Sequence, residues 1–339
     1  MEKKKNSLWL KIVTSKYIIL AGIIVLILTY GTIVTMVNKQ FLSTANLLNL
    51  TRQMVVYGII ACALSFPNIG GSTDMGIESC AAFCGTVTCM LISPNNPGIF
   101  QADLPVPVAI LIGILIGCAC GAFNGFIISY STLPPFIVTL GTQTALRGCV
   151  YIFSNNMPIS GLPDSFLALS TTTIFNIPIQ GYFMAAFFLV TGFVLNKTTF
   201  GRMVFALGGN EQAAYQSGIA TKKIKVATYI ICGGISACAG ILLSARTSSA
   251  QPTAMNGYST IAISACAMGG IPLEGGEGMV IGMVFGALMM AMLTNGMNMM
   301  GISANFQYIF RGIMLIVSVF YAQWINKKTA AIAMAMAKE

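Results

Sequence analysis

Long apolar runs, most of them close to the ~20 residues a helix needs to cross a bilayer, alternate along this chain with short polar stretches. The pattern predicts ten spans, near 17–37, 48–66, 75–93, 105–130, 135–153, 179–195, 224–245, 257–271, 279–299 and 304–325. The shorter ones are compatible with broken or re-entrant helices, which the membrane interior tolerates where protein surrounds them. The polar interruptions differ in character. Loops 94–104 and 154–178 contain no Lys or Arg and one acid each, Asp103 and Asp164. The stretch from Asn196 to Lys225 instead carries Lys197, Arg202, Lys222, Lys223 and Lys225.

Composition agrees with this pattern. The chain is 56% hydrophobic and 8% charged, with mean hydropathy +0.80, whereas a soluble domain carries about a quarter charged residues. The fold class predicted is therefore all-α and polytopic, a single transmembrane domain over residues 1–339. The net charge of +9 calls for no nucleic-acid partner. Most of the cations sit before residue 17 (Lys3, Lys4, Lys5, Lys11, Lys16), in 196–225, or near the end (Lys327, Lys328, Lys338), as the positive-inside rule produces. Ten spans then put both termini and segment 196–223 in the cytoplasm, and 94–104 and 154–178 outside. The N-terminal run lacks a convincing cleavage site and reads as a retained first helix.

A weak internal echo suggests two related halves inserted in opposite senses, a common transporter plan. One apolar helix ends in Asn124-Gly125 and a later one in Asn295-Gly296. Each precedes a span with an Arg-Gly pair, at Arg147-Gly148 and Arg311-Gly312.

Catalytic chemistry is scarce. With no His, a Ser-His-Asp or Cys-His arrangement is excluded. No phosphate-binding loop with a closing Lys-Ser or Lys-Thr occurs. The ten Cys show no CxxC pair and read as packing residues rather than a metal site, as do the many Met. No cofactor is expected. Ionisable and amide groups at membrane depth are the candidates for a solute path. Asp74 and Glu78, four apart after Gly70-Gly71, share a face if helical; they read either as a polar patch on the path or as a solvated helix start favoured by the dipole. Arg147, one turn after Gln143, reads as a structural lock paired with an acid or with backbone carbonyls, or as a path residue, and Arg311 with Gln307 is similar. Ser248-Ser249-Ala250-Gln251-Pro252 suits an unwound stretch lining a cavity, or a plain external loop. Asn124 and Asn295 complete the path candidates.

In the basic segment, Gly208-Gly209-Asn210 leads into a short helix with Glu211 in its first turn and Ala213 and Ala214 behind it, ended by Gly218. The stretch TTFGRMVFALGGNEQAAYQSGI resembles the cytoplasmic coupling segment of bacterial ABC permeases of the ribose/galactose class. AFNGFIIS, LPPFIVTLGTQTALRG, AGILLSARTSSAQPT, MGGIPLEGGEG and LTNGMNMMGI resemble the same family, so the likeness covers roughly residues 45–325. The resemblance implies a bacterial inner-membrane permease without enzymatic activity of its own, importing a monosaccharide such as ribose or galactose. It implies three partners besides lipid: a second permease copy or paralogue, a cytoplasmic ATP-binding subunit, and an extracytoplasmic solute-binding protein. It also implies that Gly208, Gly209, Asn210, Glu211, Ala213, Ala214 and Gly218 dock the ATPase.

Two segments depart from the family pattern. The element usually read Gly-Gly-Ile-Asp-Leu-Ser-Val-Gly-Ser is here Gly70-Gly71-Ser72-Thr73-Asp74-Met75-Gly76-Ile77-Glu78-Ser79, with Glu78 added. After Gly257-Tyr258 the usual Glu-Leu-Asp is Ser259-Thr260-Ile261. These changes leave open a non-sugar solute such as a nucleoside or autoinducer. An ion-coupled secondary transporter or channel is the alternative from another class.

Overall fold

The computed structural model describes residues 17–336, Asn95 excepted. The cation cluster before residue 17 and Lys338 lie outside the described residues. The helices are α1 (Tyr17–Val37), α2 (Thr44–Ile69), α3 (Ile77–Ile92), α4 (Val106–Tyr130), α5 (Pro135–Phe153), α6 (Asp164–Thr171), α7 (Ile179–Lys197), α8 (Thr199–Gly209), α9 (Glu211–Gln216), α10 (Thr221–Thr247), α11 (Tyr258–Met268), α12 (Val280–Met299) and α13 (Ala304–Met336). Eight of these are long and apolar enough to cross a membrane; α3 and α11 are shorter apolar helices. All ten expected spans thus find a helix, making this an all-α multi-pass membrane protein.

Three elements differ from the expectation. The second span is the 26-residue α2, in which every residue from Val55 to Ile69 is buried. A helix apolar all round belongs at the centre of a bundle, and α2 occupies it. The eighth expected span keeps only 11 helical residues in α11, about 16 Å at 1.5 Å per residue, short of the length of a full crossing. Segment 154–178, read as a loop, holds α6 and a hairpin of Thr173–Ile174 with Ile177–Pro178. Phe166 of α6 is fully buried, as is Ile159, which bridges to Ala250, and these anchors pack the segment onto the bundle.

Helices α4 and α10 meet along small residues, as close helix pairs in membranes do. A methyl built on Gly117 would fall 2.5 Å from the Gly233 carbonyl oxygen, and one on Gly125 2.9 Å from the Val226 Cα. Only glycine permits that approach. The outward faces carry Leu111, Leu115 and Phe123 of α4 and Ile316 and Phe320 of α13, all exposed, which suits contact with lipid.

Contacts fix the relative sense of α4 and α12. The end of α4 meets the start of α10 through Lys222 over the Tyr130 ring at 4.9 Å. The end of α12 lies instead beside the start of α2, where Asn46 and Asn295 exchange amide hydrogen bonds of 3.0 Å. Helices α4 and α12 therefore run in opposite senses, as the Asn-Gly echo predicted. One end of the bundle gathers Ile69, Gly208, Gly276 and the start of α12. The other gathers Asn46, Arg147, Asn295 and the 248–257 segment.

Candidate translocation seam and coupling joint

The seam lies where two broken helices begin. Helix α3 starts after the non-helical segment 70–76, and α11 starts after 248–257, which includes Ser248 and Met255 in left-handed backbone, at φ 52° and 66°. Neither start has a side-chain cap. Glu78, in the first turn of α3, supplies what is missing. Its Oε2 accepts from the Ser259 backbone N–H of α11 at 3.0 Å, and its Oε1 from Gln143 Nε2 of α5 at 2.8 Å. A carboxylate near two helix N-termini is electrostatically favoured there. Ser259 Oγ donates to the Met75 carbonyl at 2.9 Å, and Met75 N–H to Thr139 Oγ1 at 3.2 Å. The chain ties α3, α5 and α11 together.

Arg147 sits one turn past Gln143. Its Nη1 donates to the carbonyls of Pro252 at 3.0 Å and Ala254 at 2.8 Å. Of the two readings of Arg147, the backbone lock is therefore present, and it clamps unwound chain before α11. Arg311 of the other half reaches the same break: its guanidinium lies 5.3 Å from the Tyr308 ring centroid and beside Gly257. Arg246 Nη1 donates to the Arg52 carbonyl at 3.0 Å, binding the end of α10 to the start of α2.

The seven path candidates separate. Glu78, Gln143 and Arg147 meet at the seam. Asp74 and Glu78 do not share a helical face, because α3 begins only at Ile77. Asp74 Oδ1 accepts from the Gly76 N–H at 2.8 Å and its Oδ2 faces Cys232 Sγ at 3.8 Å. A local side-chain bond of this kind competes with helix formation, so Asp74 turns toward α10 while Glu78 turns toward α5 and α11. Asn124 is buried on α4, Gln251 is exposed in the loop, and Asn295 belongs to the clasp with Asn46. Sequence reasoning passed over Thr139, Arg52 and Arg246, and it knew Ser259 only as a departure. The helix-breaking Pro252 and Gly257 are the signal that an uncapped N-terminus follows. Among the described residues, no group of three or more His, Cys, Asp or Glu could hold a metal ion.

The candidate coupling joint is built on glycine. Gly208 at the end of α8 lies against the Ile69 carbonyl and the Gly276 N–H, which are themselves hydrogen-bonded at 2.9 Å. A methyl built on Gly276 would fall 2.8 Å from the Gly209 Cα, and one on Gly275 2.5 Å from the Gly71 Cα. Chain breaks after α2 and before α12 thus meet at one point under α8. Beyond it, Asn210 caps α9 by accepting from the Ala213 N–H at 2.9 Å, and Glu211 pairs with Lys225 at 2.7 Å. Gly218, at φ 85°, ends the turn. Gly209, Asn210, Glu211 and Ala213 are exposed, Ala214 is buried, and Tyr215 presents a 70% exposed ring that the sequence reading did not single out.

Comparison with known proteins bears on both sites. The ribose import permease protein RbsC of Haemophilus influenzae is 37% identical over 300 residues, covering 87% of this chain and 90% of that protein. RbsC of Bacillus subtilis is 35% identical, covering 85% and 87%. The L-arabinose transport system permease protein AraH of Escherichia coli is 32% identical, covering 85% of each. No solved structure matches. Residues 46–319 match the family described as branched-chain amino acid transport system / permease component, a stretch that takes in both the seam and the joint. The chain belongs to that permease family.

Proposed function

We propose that this chain is the membrane subunit of an ATP-driven importer and passes a monosaccharide, a pentose in the first instance. The family description names branched-chain amino acids, but the relatives that span most of the chain are named for ribose and arabinose. A separate ATP-binding subunit docks on Gly209, Asn210, Glu211, Ala213 and Tyr215, with Ala214 and Gly218 shaping α9 and Gly208 anchoring it. That end is cytoplasmic together with both termini, since Lys197, Arg202, Lys222 and Lys223 surround it while 94–104 and 154–178 carry no cation. A solute-binding protein delivers sugar at the opposite end. A second copy or paralogue faces α5 and α13: side chains built at Gly141, Gly148 and Gly312 would meet nothing within 4 Å, so packing within one chain gives no reason for those glycines. The path runs past Glu78, Gln143 and Arg147.

One observation carries this reading. An exposed, capped helix rests on a joint that grips the chain breaks of both halves, as a subunit receiving work from outside requires. The test is uptake of labelled ribose and arabinose by cells with and without the companion ATPase. Uptake that depends on the ATPase and ignores imposed ion gradients supports it. Uptake that survives loss of every ATPase and follows a proton or sodium gradient overturns it in favour of a secondary transporter.

A further inference from the structure

Within the path just proposed, and resting on that reading, we infer that Glu78 and Arg147 form a station for the vicinal hydroxyls of the sugar. An ionised carboxylate offers about four lone-pair sites. The hydrogen bonds on Glu78 come from two neutral donors, the Gln143 amide and the Ser259 backbone N–H. Arg147 spends Nη1 on two carbonyls, while its buried Nη2 has no hydrogen-bond partner. The seam therefore holds unspent acceptor capacity on Glu78 and, one helical turn from the Gln143 that binds it, an unspent donor on Arg147. Each hydroxyl of a diol both donates and accepts, so one that donates to Glu78 and accepts from Arg147 satisfies both.

Three other acids are placed differently. Asp74 faces α10, Glu211 pairs with Lys225, and Glu274 accepts from Gln323 near the coupling joint. Glu78 joins three helices through neutral donors that a sugar hydroxyl can replace one for one. Gln143 is the exchangeable partner. It lies half-buried on α5, beside Thr144 on the exposed face, with open space at Gly141 and Gly148. In the empty state it holds the carboxylate. During passage a hydroxyl takes its place, while the Ser259 N–H keeps the carboxylate aligned.

The test compares uptake of ribose with that of 3-deoxyribose, which lacks the hydroxyl shared by its two neighbouring diols. If arabinose is the sugar carried, it and its 3-deoxy analogue are used. The same binding protein serves every variant, so its own preference cancels in the ratio of ratios. Glu78→Gln is expected to bring the preference at least tenfold closer to one. Gln143→Ala, which removes the competing donor, is expected to lower the KM for the full sugar several-fold and leave that for the deoxy sugar unchanged. An inserted Glu78→Gln protein with unchanged preference overturns the inference. So does a Gln143→Ala protein that loses both sugars equally, the mark of a merely structural tie, and this second arm decides if Glu78→Gln does not insert. Wild-type uptake of neither pentose, with ATPase dependence intact, would instead reject the pentose reading itself.

Discussion

Replacing Gly208 by Ala tests the joint directly. A methyl there would fall 2.5 Å from the Gly276 nitrogen and press on the Ile69 carbonyl oxygen. Carbon contacts settle near 3.5–4.0 Å, so chain must give by about 1 Å. Overpacking of this kind costs about 1–3 kcal/mol, and weakening the Gly276-to-Ile69 hydrogen bond adds about 1 kcal/mol. Helix propensity returns about 0.5–1 kcal/mol, because Ala is the better helix former. The net expectation is a loss of roughly 1–3 kcal/mol, centred where the two chain breaks meet α8. Gly209→Ala is the matched control, since a methyl there meets nothing within 4 Å. The assay is thermal unfolding of the purified permease in detergent, with pentose uptake measured in parallel. Gly208→Ala should melt lower and transport less, and Gly209→Ala should melt no lower than the parent. Equal melting for the two variants would refute the joint.

Tyr215→Ala removes the exposed aromatic from the proposed docking face; interface anchors of this type commonly contribute more than about 1 kcal/mol, so affinity for the ATPase measured in nanodiscs should fall at least fivefold, and an unchanged affinity would remove the ring from that interface. Glu211→Gln breaks the pair with Lys225, whose partner carboxylate is 51% exposed; exposed pairs contribute about 0–1 kcal/mol, so the melting temperature should barely move, and a large drop would show that the pair is structural. Asn46→Ala and Asn295→Ala each leave an amide without its partner at about 1–3 kcal/mol. The double variant should lose clearly less than the sum of the two in unfolding experiments, and strict additivity would argue against the clasp.

The spans were legible because a bilayer permits few backbone solutions, and each leaves a long apolar run. The opposed senses of α4 and α12 were legible in two Asn-Gly pairs. Three features were not. Helix α6 is short and mixed in character, and it is held chiefly by Phe166, so no periodic signal marks it. The parting of Asp74 from Glu78 turns on one hydrogen bond to Gly76 that delays the helix by three residues. The joint brings together glycines from three distant stretches, and spacing along the chain says nothing about which of them touch. The seam was half visible: Glu78, Gln143 and Arg147 were each identified, while their meeting at the uncapped start of α11 depends on tertiary packing.

The interlocked glycines also bear on how far this permease can be taken apart. Grafting 196–223 from a relative, to pair the chain with a foreign ATPase, would carry over one face of a three-part fit. Residues 69–71 and 275–278 would have to travel with it, although they lie in other parts of the sequence. In this protein the exchangeable unit is a set of three short segments rather than a loop.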